Sequence, residues 1–406
     1  MKLIRTLSLA ALMAITTGTF AQSGGNEDWM SALSNTLPLH RMAVPGTHDT
    51  GAYVTGGPLI QTQTLTFEQQ LTAGIRAFDL RLVAEDNTKL IVYHSFSRQG
   101  VDFQTDMLDA ALRFLDAHPT ETLIMTSRKE QDDIRSPKGF EQILKDILSL
   151  PQYRQRMLDF SPTMTLGEAR GKILFIARNH YATPIIGATY ASWSDNNTFD
   201  TLLEGNNGIT APVRVEDKYK VPTILPVSIN AKLTAIQDNL SHANSCVNLP
   251  TPYWHVTYTS GTGAGAFPNA VADRVNQPIA DYITTNKLTN LGIIFMDFAG
   301  SQQGYALTQS IIDANAKTLS TGIQTLHTPA KSGCDISLDR RRVTVTANTP
   351  STLQTIRAVS DDGTLLFCQH AGGSTLTFLL PEAFSGSLIV SAQTAGSSCV
   401  RKFYVR

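Results

Sequence analysis

The chain has 406 residues, 42% hydrophobic and 17% charged, enough to bury a full core without help from disulfides or metals. Its formal charge is −1 and no basic cluster tracks along it, which argues against a nucleic-acid partner. The length suits one large domain and a smaller one.

At the N-terminus, Lys2 and Arg5 precede an apolar run over 7–15, and Thr19-Phe20-Ala21 offers small residues at the −3 and −1 positions of a cleavage site. This is the pattern of a secretory signal peptide, residues 1–21. Losing Lys2 and Arg5 takes the formal charge from −1 to −3. No later apolar run approaches the ~20 residues a spanning helix needs. The expected product is a soluble monomer, secreted or periplasmic. In residues 42–51 a short apolar run then feeds Pro45-Gly46, read as a sharp turn that delivers His48 and Asp49.

Strand-like runs follow at 41–44, 77–83, 90–93, 122–127, 173–177, 253–258 and 292–296. Segments 107–117 and 140–150 between them carry apolar residues at helical spacing. Strands alternating with helices predict a parallel sheet covered by helices, on the scale of a (β/α) barrel spanning 22–320. An open doubly wound sheet is the alternative, although no Gly-x-Gly-x-x-Gly opens a helix after the first strand. Residues 321–333 read as a linker. Beyond it, runs at 342–347, 352–359, 365–369, 375–380, 387–393 and 400–405 alternate with period two, and Asp361-Asp362-Gly363 signals a turn. Residues 334–406 are therefore expected to form a small all-β, sandwich-like module. Of the four cysteines, Cys368 and Cys399 are the first choice for a disulfide, with Cys334 the competing partner and Cys246 standing alone. No Cys-x-x-Cys or His-x-x-x-His spacing suggests structural zinc.

Polar residues cluster at the ends of the apolar runs. His48 and Asp49 follow the first; Asp79 and Arg81 share one strand face; His94 ends the third run and Asp297 the last. An acid closing so apolar a run is costly to bury unless paired. In a barrel these ends meet at one mouth. Two imidazoles can serve as general base and general acid, a carboxylate behind each can fix its tautomer, and an Arg fork suits a phosphate. The set fits phosphodiester cleavage with Arg in place of a metal. His40, His118, His180, His242, His255, His327 and His370 are read as ordinary core or surface residues.

Residues 41–317 resemble bacterial phosphatidylinositol-specific phospholipase C. The resemblance rests on Val44-Pro45-Gly46-Thr47-His48-Asp49-Thr50-Gly51, Phe78-Asp79-Leu80-Arg81, His94, Pro119-Thr120-Glu121-Thr122-Leu123-Ile124-Met125, Leu166-Gly167-Glu168-Ala169-Arg170-Gly171-Lys172-Ile173, Glu216-Asp217-Lys218-Tyr219-Lys220-Val221 and Asp297. It implies a distorted, TIM-like (β/α) barrel that turns phosphatidylinositol into diacylglycerol and inositol 1,2-cyclic phosphate. His48 is implied as general base oriented by Asp297, and His94 as general acid supported by Asp79. Arg81, with Asp49 beside it, is implied to stabilise the phosphate, in a branch that needs neither metal nor cofactor. Arg128, Arg178, Asp217 and Tyr219 match positions that hold the inositol, Arg128 standing where the family usually has Lys. The implied partner is phosphatidylinositol or its glycosylated form, met at a membrane surface. Residues 181–193 (with Ile185, Ile186, Tyr190 and Trp193), Trp254 and Phe267 are candidates for that contact. The competing readings are a metal-dependent phosphodiesterase of the same barrel type and a non-catalytic secreted lipid- or glycan-binding protein.

Overall fold

The computed structural model describes residues 26–249, 251–320 and 334–405, apart from 340, 348–351, 361–364, 371, 382–383 and 395–397. The expected signal peptide, the linker and the Asp361-Asp362-Gly363 turn lie outside the described residues. Each expected barrel run becomes a strand, and the segments between them supply more. These are β1 (Ala43–Thr47), β2 (Ala77–Glu85), β3 (Lys89–His94), β4 (Ser97–Asp102), β5 (Leu123–Lys129), β6 (Ile173–Ala177), β7 (Ala188–Tyr190), β8 (Thr198–Gly205), β9 (Thr210–Glu216), β10 (Trp254–Tyr258) and β11 (Gly292–Met296).

Among the described residues, nine strands close into a barrel in the order β1-β11-β10-β9-β8-β7-β6-β5-β2. The ring is completed by Gly46 and Thr47 of β1 against Ala77 and Phe78 of β2. Eight of these strands run parallel, while β8 runs against both neighbours. The far half of β2 leaves the ring to pair with β3, which pairs with β4. Helices α1 (Phe67–Thr72), α2 (Asp109–Ala117), α3 (Phe140–Ser149), α4 (Pro151–Arg154), α5 (Leu166–Ala169), α6 (Pro226–Ser245), α7 (Pro268–Thr285) and α8 (Gln302–Ser320) complete this part of the chain.

The alternation of side chains along each strand splits the core in two. Val44, Ala77, Ile124, Ile176, Val215, Trp254, Val256, Ile293 and Phe295 pack inside the barrel. Their sequence neighbours, among them Ala43, Phe78, Leu123, Met125, Phe175 and Ile294, pack outward with helix residues such as Ile143, Ile236, Val275 and Leu307.

One sequence expectation is corrected here. Pro45 and Gly46 do not turn the chain; both lie within β1, and the turn begins at His48. Gly46 is required for space, since a Cβ there would stand 2.8 Å from the Phe295 ring and 2.9 Å from Ala77 Cβ.

The C-terminal strands are β12 (Cys334–Asp339), β13 (Arg342–Ala347), β14 (Leu353–Ser360), β15 (Leu365–His370), β16 (Thr375–Leu379), β17 (Gly386–Thr394) and β18 (Ser398–Val405). They form a three-stranded sheet, β12-β13-β16, and a four-stranded sheet, β15-β14-β17-β18. Ile336, Val343 and Val345 of the first meet Ile356, Leu388 and Val390 of the second in one core. Cys334 and Cys399 form a disulfide that ties the two sheets together, with Cα atoms 6.0 Å apart. This overturns the expected Cys368–Cys399 pair. Cys368 on β15 and Cys399 on β18 occupy opposite edges of one sheet, about 14 Å apart at the usual strand spacing, beyond the reach of a disulfide. Because the bridge closes a 65-residue separation, Cys399→Ser should lower the module's unfolding free energy by about 2–5 kcal/mol. Chemical denaturation with and without reductant checks this, and Cys368→Ser should change nothing.

Candidate active site

The inner face of the barrel changes character along its length. Stepping by two from interior residues leads from Val44 through Gly46 to His48, and from Ala77 to Asp79 and Arg81. The same step leads from Ile124 through Thr126 to Arg128, from Ile176 to Arg178, from Val215 to Asp217, and from Phe295 to Asp297. The lower interior is thus apolar and the mouth at the strands' C-terminal ends is polar. The strand ladder fixes heights: Asp79 stands opposite Thr126, and Arg81 opposite Arg128.

Arg81 is the hub. Its guanidinium donates to Asp79 Oδ2 through Nη2 (3.0 Å) and Nε (3.2 Å), and pairs with Asp49 (3.3 Å) and Glu130 (3.5 Å). His48 stands against it, with Nε2 3.1 Å from Arg81 Nη2 and 3.4 Å from Asp49 Oδ2, while Nδ1 meets Asp297 Oδ1 at 2.8 Å. His94 approaches from the hairpin, its Nε2 3.5 Å from the same Asp49 oxygen. Both imidazoles therefore aim Nε2 at one place. Asp49 reaches that place because its backbone takes a left-handed conformation (φ 41°), which turns it away from the direction His48 takes.

Backbone ties hold these parts in register. The buried side chain of Gln63 donates to the carbonyls of both His48 and Met296 at 2.9 Å, locking the two strand ends that carry His48 and Asp297. Thr50 Oγ1 accepts from the Asp79 N–H (2.9 Å).

Burial disfavours the charged form of His48, but Asp297 first and Asp49 second outweigh it and lift its pKa from 6.5 to about 9. Protonated, Nε2–H faces Asp49; neutral, Nε2 accepts from Arg81, which can only donate. Asp49 and Asp79 are held well below the usual carboxylate range, because Arg81 more than offsets the cost of burying them.

All ten residues expected from the sequence lie on or just past strands that end at this mouth, but two take other partners. Asp79 does not support His94; it serves Arg81, and His94 Nδ1–H donates to the Ile60 carbonyl instead. The hydroxyl of Tyr219, half-buried at the rim, meets Asp195 at 3.1 Å. Arg178 and Asp217 lie 3.8 Å apart, and half-exposed Arg128 sits 3.7 Å from Glu130.

Three further residues belong to the mouth. Trp193 lies 3.6 Å from the Arg178 guanidinium, ring centroid to Cζ, and donates from Nε1 to Asp217 (3.0 Å). Tyr258 presents its ring edge-on to His48, centroids 5.9 Å apart. Glu130 lies between Arg81 and Arg128. The parity step Val256 to Tyr258 was available in the sequence, but the contact of Trp193 depends on a hairpin that carried no clear strand signal. Thr126 Oγ1, Arg178 Nη1, Tyr258 Oη and Asp79 Oδ1 are buried with no hydrogen-bond partner in the protein. Such a set of unsatisfied polar atoms marks a place built for a polar ligand.

A family model for the phosphatidylinositol-specific phospholipase C X domain matches residues 37–179. A 1-phosphatidylinositol phosphodiesterase of Staphylococcus aureus (strain Newman) is 30% identical over 305 residues, which covers 71% of this chain and 94% of that protein. The chain belongs to the phosphatidylinositol-specific phospholipase C family. A second phospholipase C relative, a 1-phosphatidylinositol phosphodiesterase of Listeria monocytogenes, is 30% identical over 294 residues, covering 68% of this chain and 82% of the relative. The barrel superposes on a crystal structure of the phospholipase C of S. aureus (H258Y mutant) with a TM-score of 0.63 at 28% identity, over 72% of this chain and 97% of that one.

In this member of the phospholipase C family the exposed apolar residues near the mouth match those expected only at Phe267. Trp254 is 2% exposed inside the barrel, Ile185 and Tyr190 are buried, and Trp193 is engaged with Arg178. Phe267 before α7 is exposed as expected, and with it Val54 and Leu59 after β1, Phe96 in the turn after His94, and Leu225 and Val227 at the start of α6, Phe96 by 80% and Val227 by 75%.

The raised value of His48 sets a pH dependence. A folded-state pKa above the unfolded one adds stability that is complete below pH 6.5 and is lost as pH rises through about 9, worth about 3 kcal/mol. Imidazole NMR should place the His48 midpoint near 9, and Asp297→Asn should lower it and flatten the loss of stability.

Proposed function

We propose that this protein is an exported, metal-independent phospholipase C that cleaves phosphatidylinositol to diacylglycerol and inositol 1,2-cyclic phosphate. The carrying observation is that two imidazole Nε2 atoms converge on one carboxylate oxygen beside a buried guanidinium. In this reading the neutral form of His48, the minority below about pH 9, takes the proton of the inositol 2-hydroxyl, whose oxygen attacks phosphorus within the same molecule. Arg81 neutralises the growing charge on the phosphate oxygens. His94 gives its proton to the departing diacylglycerol oxygen. Arg178, Asp217 and Arg128 then hold the inositol hydroxyls, with Tyr219 at the rim. The names of the Staphylococcus and Listeria relatives support the substrate class.

His48, Asp49 and Asp79 bring ligand atoms within 4.8 Å of one another, which favours a metal-dependent phosphodiesterase as the second reading. Against it, the Arg81 guanidinium already lies within 3.3 Å of both carboxylates. A second cation there would face direct repulsion. The N-terminal segment reads as an export leader, and the Cys334–Cys399 disulfide supports an oxidising destination, the periplasm or the exterior.

Phosphorus NMR of phosphatidylinositol vesicles should show cyclic inositol phosphate at a rate unaffected by chelator. Arg81→Ala should cost about 10²–10³-fold in kcat, and His48→Ala about 10²–10⁴-fold. Full loss of activity with chelator, or a non-cyclic first product, would favour the metal-dependent reading. We also assign the exposed apolar residues around the mouth to the lipid surface. Phe96→Ala with Val227→Ala should weaken vesicle binding while sparing hydrolysis of a short-chain, monomeric substrate.

A further inference from the structure

We propose that His242, Cys246 and His255 form a zinc site that clamps the C-terminal end of α6 to the start of β10, at the end of the barrel away from the catalytic mouth. His242 and Cys246 are four apart at the end of α6 and so share one helix face. On β10, Trp254, Val256 and Tyr258 point into the barrel, which turns His255 outward beneath that face. The register is fixed one turn away, where Asn239 of α6 donates to the Val256 carbonyl (3.0 Å) and to Thr257 Oγ1 (2.9 Å).

His242 Nδ1 and His255 Nε2 lie 2.9 Å apart, Cys246 Sγ is 3.7 Å from His242 Nδ1, and the three ligand atoms all fall within 4.8 Å. A tetrahedral zinc with ordinary bond lengths separates two imidazole nitrogens by about 3.3 Å and nitrogen from sulfur by about 3.6 Å. The existing triangle approaches that shape, and a small swing of Cys246 at the helix end completes it. Two imidazoles and a thiolate form a donor set that selects zinc over magnesium or calcium.

The surroundings keep both rings neutral and ready to bind. Burial first, then the neighbouring His242 and Arg214, bring His255 from 6.5 down to about 3; burial and Arg214 lower His242 as well. The nearby charges of Asp200 and Arg214 are spent on each other (3.0 Å), and Asp200 also accepts from Tyr253 Oη. Tyr253 stacks on His255 with centroids 5.1 Å apart and turns its face toward the edge of His242, roofing the cluster. On binding, Cys246 gives its thiol proton to solvent, the ring that donates in the His242–His255 hydrogen bond moves that proton to its far nitrogen, and water takes the fourth position.

The mature protein, stripped with chelator, can be titrated with Zn²⁺ against a chromophoric chelator and with Co²⁺ as a spectroscopic substitute. One equivalent should bind, Co²⁺ should give a thiolate charge-transfer band, and Zn²⁺ should raise the Tm. Cys246→Ser and, independently, His242→Ala should weaken zinc about tenfold or more. Cys246→Ser should also abolish the band, whereas Cys368→Ser, which removes the exposed thiol on β15, should leave it intact. Absence of stoichiometric binding, or a band that survives in Cys246→Ser, would overturn the assignment. Zinc that binds but is displaced by Asp79→Asn and not by Cys246→Ser would overturn it too, since the metal would then sit in the mouth.

Discussion

A buried guanidinium at the barrel mouth is tolerable only if carboxylates surround it. Arg81 is met by Asp79 and Asp49 within 3.3 Å and by Glu130 at 3.5 Å, and removing any of them would leave charge stranded out of water. That requirement arranges the neighbourhood. Asp79 must sit two residues before Arg81 to share its strand face, and Asp49 must leave the line of β1 through a left-handed residue. His48 and His94 inherit their places from this ion cluster, because both point at the carboxylate that Arg81 holds.

The barrel gives that cluster a rigid floor. Below the mouth the interior is filled by side chains such as Val44, Phe295 and Trp254, the last packed beside Phe160 with ring centroids 5.9 Å apart. The mouth is thus a polar cap on a close-packed column, and its side chains have little freedom to relax. In the proposed reaction, preorganised charges of this kind would act on a developing phosphate charge without reorienting.

Much of this was legible because the inner and outer faces of a strand alternate with period two. His48, Asp79, Arg81 and Asp297 announce themselves as polar residues breaking apolar runs. Strand β8 was illegible because only Leu203 and Gly205 along it are buried, so Thr198–Gly205 reads like a loop. The partners of Trp193 were hidden for the same reason: the residue sits in an apparently irregular segment, whereas Arg178 and Asp217 are supplied by flanking strands. Pro45-Gly46 misled in the opposite direction, since Gly46 marks close approach to Phe295 and not a bend. The disulfide depended on which sheet each cysteine strand joins, a choice that period-two patterning leaves open.

The reversed strand β8 has an effect of its own. Because β7 rises to the mouth and β8 descends from it, the seven residues between Tyr190 and Thr198 form a short bridge whose two ends are fixed on adjacent strands. Elsewhere a new wall for the mouth would require rebuilding a crossover and the helix it feeds. Here Trp193 and Asp195 can be exchanged within a hairpin that belongs to no helix. Under the proposed function, recognition of the inositol can therefore be retuned by loop replacement, by evolution or by grafting, while the ion cluster and the column beneath it stay untouched.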